Sequence, residues 1–146
     1  MKRAIRLLVV FLAAGMGLSS CQQNVPSYRL SDLQGLWQEI NTEHFVRFTT
    51  EKSEEEILPP FFYGREWDEG DDVYEEDLKP YGNGWFKYQF QSTGDLKEIH
   101  LMDNGGAEIP KIYVVSKLTG TELEYYDKER KQLTFSFERI TERSSE

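Results

Sequence analysis

The chain has 146 residues and carries 26 Asp and Glu against 17 Lys and Arg, which gives a net charge of −9. This length fits one domain, and the acidic charge argues against binding to nucleic acid or to an anionic membrane surface. The chain has one cysteine, which excludes an internal disulfide, so stability has to come from a hydrophobic core.

The first 20 residues have the layout of a secretory signal peptide. Lys2, Arg3 and Arg6 precede the unbroken apolar run LLVVFLAA at 7–14. This run is too short for a membrane span, which needs about 20 apolar residues. Removal of 1–20 would take away three positive charges and no negative charge, so the net charge of the mature chain would change from −9 to −12.

The segment ends in Leu18-Ser19-Ser20-Cys21, which resembles a bacterial lipobox. The resemblance implies that a lipid such as palmitate is attached at Cys21, in more than one acyl chain because one chain alone binds only marginally. Gln22 stands where Asp would favour the inner membrane in lipoprotein sorting. The resemblance therefore implies an anchor in the outer membrane, with the domain facing the periplasm. The alternative is an ordinary secreted protein with an unused thiol.

Residues 21–32 are polar, contain Pro26 and predict a short tether. From 33 onward, short aromatic-rich segments alternate with turn sequences. The pattern is clearest at 85–91, where Phe86, Tyr88 and Phe90 alternate with other residues. The predicted strands are 33–40, 43–50, 57–67, 85–91, 96–102, 108–118, 122–127 and 133–140.

About eight strands without a helical pattern predict an all-β domain at 33–140, followed by a polar tail at 141–146. The short turns favour an antiparallel up-and-down barrel, whose interior is just large enough for side chains or one small ligand. Pro59 and Pro60 make 57–67 an edge or a loop crossing, and Pro110 is expected to interrupt the strand at 108–118.

The first strand contains Gly35-x-Trp37, which resembles the signature of lipocalins and the wider calycin group. The segments KIYVVSKLT at 111–119, ELEYY at 122–126 and LTFSFER at 133–139 are similar to the lipocalin-like domains of bacterial lipoproteins. In lipocalins an Arg near the end of the last strand lies over the first-strand Trp. The resemblance therefore implies that Arg139 stacks on Trp37 and closes the barrel floor. The stabilising disulfides of the secreted eukaryotic members, and the long helix that usually follows their last strands, are absent here, and neither departure affects the resemblance to the compact bacterial domains.

Two sets of aromatic and aliphatic residues are candidates for ligand contact in such a barrel. The predicted interior set could line a cavity or fill a packed core, and consists of Phe86, Tyr88, Phe90, Leu123, Tyr125, Phe135 and Phe137. The second set flanks the double proline and is predicted to guard the mouth of the barrel or to meet a partner, and consists of Phe61, Phe62, Tyr63 and Trp67.

Catalytic and metal motifs are weak in this sequence. His44 and His100 have no metal-ligand spacing and are interpreted as hydrogen-bonded or solvated side chains. No nucleophile elbow or catalytic triad can be assembled. The acidic loop at 68–77 does not match the EF-hand spacing and is interpreted as a solvated loop, with a calcium site as the less favoured alternative. We expect no cofactor, no metal and no enzymatic activity.

These features favour a lipid-anchored, lipocalin-like protein of the cell envelope that binds a small hydrophobic or amphipathic ligand. The alternative is a packed barrel without a cavity. Such a barrel would act as an interaction module or inhibitor of an envelope protein, through its acidic and aromatic loop surface.

Overall fold

Eight antiparallel strands close into one up-and-down barrel in the computed structural model, which describes residues 26–71, 84–101 and 106–141. The predicted fold class is thereby confirmed. The strands are β1 (Gly35–Glu39), β2 (His44–Lys52), β3 (Phe62–Asp68), β4 (Trp85–Phe90), β5 (Asp95–Leu101), β6 (Glu108–Leu118), β7 (Glu122–Asp127) and β8 (Thr134–Arg139). The predicted signal peptide, Cys21 and most of the acidic loop at 68–77 lie outside the described residues.

The alternation of side chains along each strand decides what lies inside the barrel. Trp37 of β1 pairs with Val46 of β2 on one side and with Arg139 of β8 on the other, and this last pairing closes the ring. All three side chains therefore point inward. The same parity places Tyr88 of β4 opposite Glu98 of β5, so that both apolar and charged side chains face the interior.

One end of the barrel is covered by a single helical turn, α1 (Leu30–Leu33). Leu33 is completely buried, and the Tyr28 N–H donates a 2.8 Å hydrogen bond to the Ser92 carbonyl in the turn between β4 and β5. We call this the closed end and the opposite end the mouth. The packed domain thus begins before residue 33, and the last part of the predicted tether belongs to the barrel.

Pro110 does not interrupt β6, contrary to the sequence prediction. It lies within the continuous strand and pairs with Ile99 of β5. On the other side of β6, pairing with β7 begins only at Tyr113, so Pro110 lies where β6 has no β7 partner. A residue without an N–H is tolerated at such a local edge.

The prediction that the second aromatic set guards the mouth is wrong for three of its four members. Phe62 and Tyr63 begin β3, which runs from the closed end toward the mouth, and Phe61 precedes them in the loop after β2. Segment 57–61 is loop rather than strand, so the strand starts later than predicted. Trp67 lies nearer the mouth, but it faces outward and stacks on Phe45 with ring centroids 5.8 Å apart.

No helix within the described ranges is both long enough and apolar enough to cross a membrane.

Candidate functional site

The closed half of the barrel is filled by side chains. The predicted interior residues all face inward, and all are buried except Phe135, which is half-buried. Phe48 makes edge contacts with Phe86 and Tyr88, and Tyr125 stacks on Phe137 with ring centroids 5.2 Å apart. This half therefore forms a core rather than a ligand cavity.

Arg139 completes the floor of this core. Its guanidinium carbon lies 4.2 Å from the centroid of the Trp37 ring, which is the stacked contact implied by the lipocalin resemblance. The guanidinium also donates to three main-chain carbonyls, those of Asp32, Gln34 and Gly120. The stacking contributes about 0.5–2 kcal/mol, and the hydrogen bonds join α1 to the turn between β6 and β7.

Gly35 makes room for this arginine. Its φ is +134°, and a Cβ at this position would lie 2.3 Å from Arg139 Nη1. A residue with a side chain would therefore be strained in its backbone and would displace the guanidinium. The spacing of Gly35 and Trp37 thus has a steric cause, because the glycine lets the arginine reach the indole.

The mouth half is different, because titratable side chains form a continuous chain of contacts inside it. His44 of β2 meets Asp68 through Nδ1 at 2.9 Å and Glu66 through Nε2 at 3.5 Å, both on β3. Glu66 in turn lies 3.6 Å from Nδ1 of His100 on β5, whose Nε2 lies 2.7 Å from Glu98 Oε1. Imidazoles and carboxylates alternate along this chain, which we call the mouth cluster (His44, Glu66, Asp68, Glu98 and His100).

Two residues of β4 and its preceding turn make the mouth cluster possible. Phe86 stacks on His100, with centroids 4.6 Å apart and planes 19° apart, and separates the cluster from the core. Gly84 accepts a hydrogen bond from the Glu66 N–H and has a φ of +81°. A Cβ there would lie 2.1 Å from the Glu66 carbonyl oxygen, so only glycine fits this close approach.

The contacts within the cluster change its protonation. The contact with Glu66 and the hydrogen bond with Asp68 raise the pKa of His44 to about 9, against the opposing effect of burial. Burial alone would raise the pKa of Glu66, but His44, His100 and Lys111 outweigh it and lower that pKa. Burial raises the pKa of Glu98, and the neighbouring Glu66 carboxylate adds to this effect. His44 is therefore protonated at neutral pH.

Beside the cluster, a cleft of about 440 Å³ opens between β6 and the turn that joins β7 to β8. β7 ends at Asp127, which pairs with Tyr113 of β6, whereas β6 remains paired with β5 as far as Glu108. The cleft lies where β6 has no partner on its β7 side. Both sides of the cleft carry apolar and charged residues. Its lining includes Ile109, Lys111, Tyr113, Arg130, Leu133 and Phe135.

Only Phe135 of the predicted interior set lines this cleft. The mouth cluster and Lys111 were not predicted as a site. The available signal was the parity of β5, in which His100 shares a face with Leu96 and Glu98. Within the described ranges, no group of three His, Cys, Asp or Glu side chains is placed to hold a metal ion.

No family model, curated protein or solved structure matches this chain. Its function therefore has to be argued from the chemistry of the site.

Proposed function

We propose that the protein is a non-enzymatic binding protein of the cell envelope whose barrel takes a small amphipathic ligand in the cleft at its mouth. The observation that carries the proposal is the composition of the cleft, which is lined by apolar side chains such as Leu133 and Phe135 together with charged groups such as Lys111. Its volume of about 440 Å³ falls in the range of small-molecule sites, roughly 300–1,000 Å³.

The closed barrel is the kind of scaffold that such a site requires. Strands hold Tyr113 and Phe135 in fixed positions, with ring centroids 6.0 Å apart. The apolar part of a ligand would lie against Phe135 and Leu133, the latter still 39% exposed. Burial of this surface provides the driving force for binding. The lipocalin resemblance of the sequence agrees with this proposal.

The test uses binding to the purified chain. Titration with the neutral dye Nile red should give saturable fluorescence, and the Phe135→Ala variant should weaken binding about tenfold because it removes one wall of the cleft. Phe45→Ala is the matched control, since Phe45 faces outward and stacks on Trp67. Solvent extraction followed by mass spectrometry would identify a co-purified ligand. Absence of both dye binding and extracted ligand would refute the proposal.

The cellular location of the protein is a separate part of the proposal. Lipid attached at Cys21 would hold the barrel at the outer membrane, on the periplasmic side, through a linker that ends near the closed end. Cells that express the protein should incorporate labelled palmitate into it, and the Cys21→Ser variant should lose the label. Continued labelling of this variant would contradict the lipid anchor.

A second candidate function follows from the filled closed half. Trp37, Phe48, Phe86 and Tyr88 are among side chains less than 2% exposed, so most of the interior has no room for a ligand. In this case the protein would act through its surface as an interaction module or inhibitor in the envelope. Leu58, which is 89% exposed in the loop before β3, would be part of the contact. Negative results in the dye and extraction experiments would favour this candidate.

A further inference from the structure

Glu98 carries a buried oxygen that lacks a hydrogen-bond donor among the described residues. The residue is 3% exposed and points into the barrel. Its Oε1 is engaged by His100 at 2.7 Å, but its Oε2 has no partner within residues 26–71, 84–101 and 106–141. A buried acceptor without a donor is unfavourable, so a ligand group that donates a hydrogen bond there would gain more than at a surface carboxylate.

The surroundings of this oxygen contain several carboxylates as well as the cationic groups of His100 and Lys111. Besides burial, the carboxylates of Glu98, Glu66 and Asp127 raise the pKa of Tyr113, with Arg130 opposing them. Burial and then Glu98 likewise raise the pKa of Tyr125. These two tyrosines come from neighbouring strands and have ring centroids 4.7 Å apart. Burial disfavours any charge here, whereas the contribution of the carboxylates disfavours a phenolate and favours a cation in the same place.

Aromatic faces lead from the cleft to this region. The rings of Tyr113, Tyr125 and Phe135 contact one another, with centroid distances between 4.7 and 6.0 Å. Tyr113 and Phe135 also line the cleft. The faces of aromatic rings attract cations, most strongly where water is excluded.

We propose that the polar end of the ligand is a protonated amine, which passes Tyr113 and donates to Glu98 Oε2 while the apolar body stays in the cleft. This inference rests on the proposed function and adds the charge of the ligand. The competing cation is Lys111, the register partner of Glu98, which also lines the cleft. No described carboxylate lies within ion-pair distance of Lys111, so its long side chain is able to turn toward solvent when the amine enters.

The first experiment needs no variant. Isothermal titration calorimetry of the purified protein at pH 7 compares octylammonium, octanol and octanoate, which share one chain and differ in charge. We expect octylammonium to bind at least about tenfold more tightly than octanol, and octanoate to bind most weakly. Equal binding of all three, or preference for octanoate, would overturn the inference and leave the proposed function standing. Absence of binding by all three would overturn both.

Two variants with opposite expected effects give a second test. Glu98→Gln should weaken octylammonium about tenfold and leave octanol unchanged, because the side chain keeps its shape and loses its charge. Lys111→Met should strengthen octylammonium several-fold by removing the competing cation. Glu138→Gln is the matched control, since Glu138 is exposed on the outer face. An increase in octylammonium affinity in Glu98→Gln, or a decrease in Lys111→Met, would refute the assignment.

Discussion

The two ends of the barrel differ in whether their buried charged side chains have hydrogen-bond partners. At the closed end, Arg139 lies on Trp37 and donates to three main-chain carbonyls, so its charge is fully used within the protein. At the mouth, Glu98 is as deeply buried as the core residues and has an oxygen to which no residue in the described part of the chain donates. The first arrangement stabilises the fold, whereas the second is the feature on which the proposed binding of an amine rests.

Burial alone does not identify a structural residue in this barrel. Trp37 and Glu98 are both nearly inaccessible and both face the interior. They differ in the hydrogen bonding of their polar atoms, because the Trp37 indole N–H donates to the Leu33 carbonyl at 2.7 Å. Sites that bind ligands commonly hold groups that would be more stable if paired.

The largest effect is expected at the closed end. Arg139→Ala should lower the free energy of unfolding by about 3–5 kcal/mol, because it removes the stacking on Trp37 and leaves several carbonyls without a charged donor. Urea unfolding followed by tryptophan fluorescence measures the change. Arg130→Ala is the control, since this side chain is 67% exposed, and it should shift stability by less than about 0.5 kcal/mol. Similar losses in both variants would contradict the closing role of Arg139.

The next effect concerns the glycine beneath this arginine. Gly35→Ala should destabilise the fold by about 2–3 kcal/mol, through backbone strain at its φ of +134° and displacement of the guanidinium. Gly120→Ala is the control, since a Cβ there meets nothing within 4 Å. Thermal unfolding of both variants gives the comparison. If Gly35→Ala were as stable as the parent protein, steric need could not explain the spacing of Gly35 and Trp37.

The closed end could largely be predicted, because alternation along each strand is a local signal and the lipocalin resemblance implied the contact of Arg139 with Trp37. Period-two alternation marks the strands, and the parity of β8 places Arg139 on the same face as Phe135 and Phe137. Closure of the ring then needs only the first and last strands to pair. The direction of β3 was harder to predict, because the loop at 57–61 delays its start and moves Phe61 to the closed end.

The mouth cluster could not be predicted, because it depends on the register among strands that are distant in sequence. Glu66 on β3 meets His100 on β5 across β4, and Gly84 allows the turn before β4 to approach the Glu66 main chain. Neither the alternation of residues along a strand nor their spacing in the sequence predicts a contact between these two side chains. Parity shows that His100 and Glu98 share a face, but it gives no distance to His44.

A moderate effect is expected from pH at the mouth. Because the pKa of His44 is raised from 6.5 to about 9, its stabilising effect is complete below pH 6.5 and is lost as pH rises through 9. The expected loss is about 1–2 kcal/mol, since partial exposure of His44 reduces the full effect. Urea unfolding across this window measures it, and His44→Gln should flatten the dependence. A parent and a variant with the same slope would contradict the role assigned to His44.

The smallest effect is expected at Glu98, where loss of a charged side chain should increase stability instead of lowering it. The pKa of Glu98 is raised above 4.5 in the fold, so its carboxylate destabilises the empty protein as pH rises through the raised pKa. Glu98→Gln should therefore increase stability by about 1 kcal/mol at pH 8 and leave it unchanged at pH 4, where both side chains are neutral. Thermal unfolding without ligand at both pH values tests this, with exposed Glu138→Gln as the control. A loss of stability at pH 8 would mean that the fold itself uses the charge on Glu98, as the closed end uses that on Arg139.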